Sequence, residues 1–137
     1  MTDVDRLQFV LAQEQKTEFL FLLFAGSGRL RSSYPAIVAI HEQHLQAVTA
    51  LTETIARLGG DPVHPKSFND YVVEAHAMSA TSEADVVDLA RSLEHDGVDL
   101  YGRLGPQMSD SALAQRLVQL GADDDAHGQT LAHAISG

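Results

Sequence analysis

The chain has 137 residues, 45% of them hydrophobic, with 19 acidic against 9 basic side chains and a formal net charge of −10. That is the size and composition of one folded domain covering 1–137, and its acidity argues against nucleic acid and anionic membrane surfaces, which both select clustered Lys and Arg. No cysteine is present, so disulfides, thiolate nucleophiles, iron–sulfur clusters and Cys-type zinc sites are excluded as well.

Helix signals run throughout, and no segment shows the alternation of a strand. The first helix is expected from Asp3 to about Arg29, with Thr2 as its cap and Asp5 three residues on. Its most apolar run, Phe19 to Ala25, falls far short of the ~20 residues of a membrane span, so no membrane insertion is expected. Met1 to Asp5 has no basic region of the signal-peptide kind. Gly26-Ser27-Gly28 loosens the helix end. Ser32 or Ser33 caps the second helix, Pro35 fits its first turn, and Gly59-Gly60-Asp61-Pro62 ends it. Ser82 with Asp85 opens the third, which stops at Gly105-Pro106, and Ser109 opens a fourth that runs nearly to the C-terminus.

Short links join helices one and two, and helices three and four, so each pair forms an antiparallel hairpin. Between the hairpins lies a long stretch, Gly60 to Thr81. The expected fold class is therefore all-α, a four-helix bundle of two hairpins joined by a long crossover rather than a simple up-down bundle.

Each helix has an inward stripe interrupted by polar groups. The first reads Leu7, Leu11, Glu14, Glu18, Phe21, Ala25, and the second Ile37, His41, His44, Val48, Leu51, Ile55, Leu58. The third reads Ala90, Glu94, Gly97, Tyr101, Leu104, and the fourth Leu113, Leu117, Leu120, Asp124, His127, Leu131, Ala134. Burying unpaired ions costs several kcal/mol each, while a domain has only about 5–15 kcal/mol of net stability. A metal ion or a mutual hydrogen-bond network has to compensate them. Side chains at i and i+3 share a helix face, and facing helices complete a cage. Imidazole suits iron, zinc, copper and nickel, and carboxylate adds hard oxygen donors suited to iron or manganese. The candidate ligands are His41 and His44, Asp124 and His127, with Glu94 and either Glu14 or Glu18 as single contributors. Counted from the first hairpin turn, Glu18 matches the depth of His44 better than Glu14 does.

These residues carry a resemblance to the ferritin-like superfamily, and within it to small actinobacterial ferritin-like domains. The matching segments are Leu11-Ala12-Gln13-Glu14, Ile40-His41-Glu42-Gln43-His44, Leu58-Gly59-Gly60-Asp61-Pro62-Val63, and Leu93-Glu94 through Tyr101. The resemblance implies a metal site in the bundle core held by Glu14, His41, His44, Glu94, Asp124 and His127. Di-iron members carry Glu at position 41, where this chain has His, and a neutral imidazole cannot bridge two metals as a carboxylate does. Asp124 is also one methylene shorter than Glu. One ion, or an asymmetric pair, fits these ligand types better than a doubly carboxylate-bridged centre. Iron or manganese ranks first and zinc second, with oxidase or peroxide-handling chemistry if the protein is an enzyme. Some related families carry export leaders, so the expected location is cytoplasmic, or extracytoplasmic if a leader was removed.

The alternative is a metal-free scaffold or interaction module whose core groups hydrogen-bond each other, its outer face serving a partner such as a second copy in a homodimer. Cage-like iron storage is disfavoured by chain length and by the lack of an evident fifth helix. No residue is assigned as general acid or base, and no organic-cofactor motif is present. His41-Glu42-Gln43-His44 lacks the i, i+4 histidine spacing of zinc proteases, and Gly26-Ser27-Gly28 lacks the lysine of a phosphate loop. His64 and His76, in the crossover, are expected to face solvent, and His95, Asp96 and His133 to face outward or flank the site.

Overall fold

The computed structural model describes residues 1–136, and side chains as far as Ile135. Five α-helices follow in chain order: α1 Asp3–Ala25, α2 Tyr34–Arg57, α3 Phe68–Glu74, α4 Glu83–Leu104 and α5 Ser111–Ser136. No strand occurs among the described residues, and none of their helices is long and apolar enough to cross a membrane.

The caps explain most of the boundaries. Thr2 and Asp5 form a reciprocal capping box at the start of α1. Ser82 accepts from the Asp85 amide at the start of α4, and Gly59, at φ +85°, ends α2. Ser33 starts α2 without capping it, because its hydroxyl donates to Glu83 Oε2 (2.7 Å) at the far hairpin. The same oxygen accepts from the amides of Arg31 and Ser33, which pins the first turn against α4. At the opposite end, Asp3 accepts from the amides of Ser109 and Asp110. Asp110, rather than the expected Ser109, accepts from the Leu113 amide to open α5.

Two apolar clusters fill the bundle. One gathers Leu20, Phe21, Phe24, Ile37, Ile40, Val86, Val87, Ala90, Leu93 and Leu131; the other gathers Leu7, Val10, Leu11, Leu51, Ile55, Tyr101, Leu104, Leu117 and Leu120. Along α1 and α5 the chain passes from the second cluster to the first, and along α2 and α4 from the first to the second. Consequently α2 and α4 run parallel, and the link between them must traverse the bundle's length. It does so along α1. Gln8 bonds both the Asp61 carbonyl and the Val63 amide, Gln15 donates to the Val63 carbonyl, and Phe19 packs edge-on to Phe68. The crossover also contains the seven-residue α3, too short for its periodicity to mark it in the sequence. In all four long helices, a polar side chain stands between the two apolar clusters: Glu14, His44, Glu94 and the pair Asp124 and His127.

Candidate metal centre

The polar layer is buried. Glu14, His44 and Glu94 are each 1% exposed, Asp124 3% and His127 7%. His44 on α2 occupies the middle, its Nδ1 at 3.1 Å from Glu14 Oε1 of α1 and its Nε2 at 2.6 Å from Glu94 Oε1 of α4. Glu94 presents its other oxygen to His127 Nδ1 at 3.3 Å, and Asp124 Oδ1 lies 3.7 Å from that nitrogen. The His44 and His127 rings meet edge-on, with centroids 5.2 Å apart.

One ligand atom from each of His44, Glu94, Asp124 and His127 falls within 4.8 Å of all the others. Four of the six expected residues are thus brought together. Glu14 stands behind His44, bonded to the nitrogen that faces away from Glu94. His41 lies apart, its Nε2 at 2.9 Å from Glu18 Oε1 in a half-buried pair. Three residues along a helix is about 60° short of a full turn and about 4.5 Å of rise, enough to turn His41 toward α1. The depth reckoning that set Glu18 opposite His44 therefore differs from the structure, where Glu14 takes that place. His64, His76, His95, Asp96 and His133 are exposed, and His95 and His133 flank the site, lining a cleft with Glu94 and Asp124.

Two further residues take part in roles the sequence does not reveal. Tyr101, fully buried on α4, donates its hydroxyl to Glu14 Oε2 at 2.6 Å. Gln43 accepts from His127 Nε2 through Oε1 at 2.6 Å. Tyr101 lies on the expected stripe, but its hydroxyl's partner depends on how α1 meets α4. Gln43 sits on the exposed side of α2, where no apolar periodicity marks it.

The electrostatics follow from burial. Desolvation opposes charge on His44, but hydrogen bonds to Glu14 and Glu94 and their negative charges outweigh it and raise its pKa to about 11. Burial also raises Glu94, yet its bonds to His127 and His44 win and hold it below the ordinary carboxylate range. At Asp124 the His44 charge pulls the same way but is outweighed. Burial, then repulsion from Glu14 and Glu94, push it up to about 10. Burial and the Glu14 and Asp124 charges also hold the Tyr101 phenol well above its usual range. The result is an imidazolium between two carboxylates, with a neutral carboxylic acid beside them.

His127 tests whether the arrangement suits a cation. With Nε2 turned to the Gln43 oxygen, His127 points Nδ1 at oxygens of Glu94 and Asp124. A lone pair against carboxylate oxygens is repulsive unless a proton or metal ion lies between them. The donor set of two imidazoles and two carboxylates is one that zinc, iron and manganese accept. Metal–ligand bonds of about 2.0–2.2 Å set neighbouring donors about 3 Å apart and opposite donors about 4.2 Å apart. The four ligand atoms lie within 4.8 Å of one another, so the most distant pair would draw in by a few tenths of an ångström on binding.

The sequence profile of the ferritin-like domain family matches residues 2–137. The chain belongs to that family. No curated protein is similar enough to match it. In this ferritin-like domain, the buried His/Glu/Asp cluster is a group that could hold a metal ion.

Proposed function

We propose that this ferritin-like domain binds one divalent transition-metal ion through His44, Glu94, Asp124 and His127. The observation that carries the reading is the convergence of their four ligand atoms, from three helices, inside a buried layer. Glu14 is then the carboxylate that receives the Nδ1 proton of a ligating His44, the outer partner that metal-bound histidines usually have. Gln43 does the same for His127. Tyr101 holds Glu14 in place. Iron or manganese ranks first and zinc second on the donor set. An iron or manganese ion there supplies one-electron redox chemistry of the oxidase or peroxide-handling kind.

Charge balance supports the same assignment. Without an ion the cluster retains one proton on His44 and one on Asp124 that the free side chains would release by neutral pH. A divalent cation replacing both leaves the buried charge unchanged. Titration with Mn²⁺, Zn²⁺ and anaerobic Fe²⁺ tests the reading. An ion at about 100 times its Kd adds about 2.7 kcal/mol, which raises Tm by roughly 5–10 °C in a chain of this size.

A second reading has one observation in its favour. Every buried side-chain polar atom of the cluster already has a partner; the orphan among the described residues is Arg6 Nε, on α1. A hydrogen-bonded, metal-free core would leave the outer surface as the functional part, and no ion would then move Tm.

A further inference from the structure

Glu94 and Asp124 have a second side. Besides facing His44 and His127, they line an open cleft of about 620 Å³ between α4 and α5. Asp88 and Asp125 also line it, with Arg91 as its one strongly basic residue. A hexahydrated cation needs about 180 Å³, at about 30 Å³ for each water, so the cleft admits it whole. Gly128 forms part of the α5 wall. A glycine inside a helix costs about 1 kcal/mol relative to alanine, and Gly128 has neither a positive φ nor a close neighbour to require it. A Cβ placed there meets nothing within 4 Å. The missing side chain leaves the wall open instead.

We infer that the α4–α5 cleft is the access route by which a hydrated divalent cation reaches the buried centre, and that Gly128 keeps this route clear. The inference rests on the metal-binding reading above. Acidic groups at the mouth raise the local cation concentration, and of the four proposed ligands Glu94 and Asp124 are the two that line the cleft.

Stopped-flow uptake of Co²⁺, followed by its visible absorption, tests the route. Gly128→Leu places a side chain in the cleft and is expected to slow association and dissociation together by about 10-fold or more, with little change in Kd. Gly102→Leu on α4, where a Cβ also meets nothing within 4 Å, is the control and keeps wild-type rates. Wild-type rates in a folded Gly128→Leu protein, or equal slowing in both variants, overturn the inference. If Gly128→Leu does not fold, Asp88→Asn/Asp125→Asn takes its place. At low salt its association is expected to be about 3- to 10-fold slower, converging on wild type as salt rises; an unchanged low-salt rate overturns the route. A wild-type protein that takes up no Co²⁺ defeats the metal reading itself, a result distinct from uptake at unaltered rates.

Discussion

Gly97 on α4 and the Asp124 carboxylate on α5 compete for one space: a Cβ at position 97 would collide with Asp124 Oδ2. Asp124 can enter the buried layer only because residue 97 has no side chain. Replacing a helical glycine by alanine ordinarily stabilises by about 0.5–1 kcal/mol. Here the sign reverses. Gly97→Ala is expected to lower the denaturation midpoint and weaken metal binding by displacing Asp124, whereas Gly102→Ala, in open space on the same helix, raises stability. Urea denaturation of both variants, with metal titration of the first, checks the pair.

Binding should release protons. With His44 at about 11 and Asp124 at about 10, both carry a proton at pH 7 that an ion must displace. About two protons per ion are expected, and apparent affinity should rise by as much as about 100-fold per pH unit from pH 7 to 9. Calorimetry in buffers of different ionisation enthalpy counts the protons. Release near zero would mean that the ion binds elsewhere.

The same shifts set the stability of the ion-free protein. Both folded-state values lie above their unfolded ones, so each contribution is full below the unfolded pKa, about 3.8 for Asp124 and 6.5 for His44, and is lost as pH rises toward the folded value. Folding takes up protons across pH 7–9, and stability should fall there by at most about 1.4 kcal/mol per pH unit for each group. Tm measured across that range without metal is expected to decline, and added metal to flatten the decline.

Glu94 and Glu14 should separate by role. Glu94→Gln leaves the buried His44 charge with Glu14 as its one carboxylate partner, costing about 3–5 kcal/mol, and removes a proposed ligand. Stoichiometric binding should disappear. Glu14→Gln keeps the four converging groups and loses only the outer partner of His44, so metal should still bind, about 10- to 100-fold more weakly. Equal loss in both would place Glu14 on the ion.

The features legible in the sequence were local ones. Apolar spacing and the caps at Thr2, Ser82 and Gly59 located the four long helices, because those signals act within one or two turns. The helix α3 has such a signal too, Ser67 accepting from the Asp70 amide three residues on, but it is seven residues long and carries little periodicity. Interrupted stripes exposed His44, Glu94, Asp124 and His127, since a polar group on an apolar face stands out in any helix. The choice between Glu14 and Glu18 was not local. Both lie on one face of α1, and which of them meets His44 depends on how the α1–α2 turn sets the two axes. Gln43 lies within the His41–His44 segment, but nothing local marks it as a partner until His127 arrives from a helix eighty-odd residues away.

The central claim is that one buried ion belongs to this fold, and elemental analysis of protein purified without chelators tests it most directly. The expected result is about one iron, manganese or zinc per chain, lost in His44→Ala/His127→Ala protein. Wild-type protein free of metal, with a Tm that none of the three ions shifts, would contradict it.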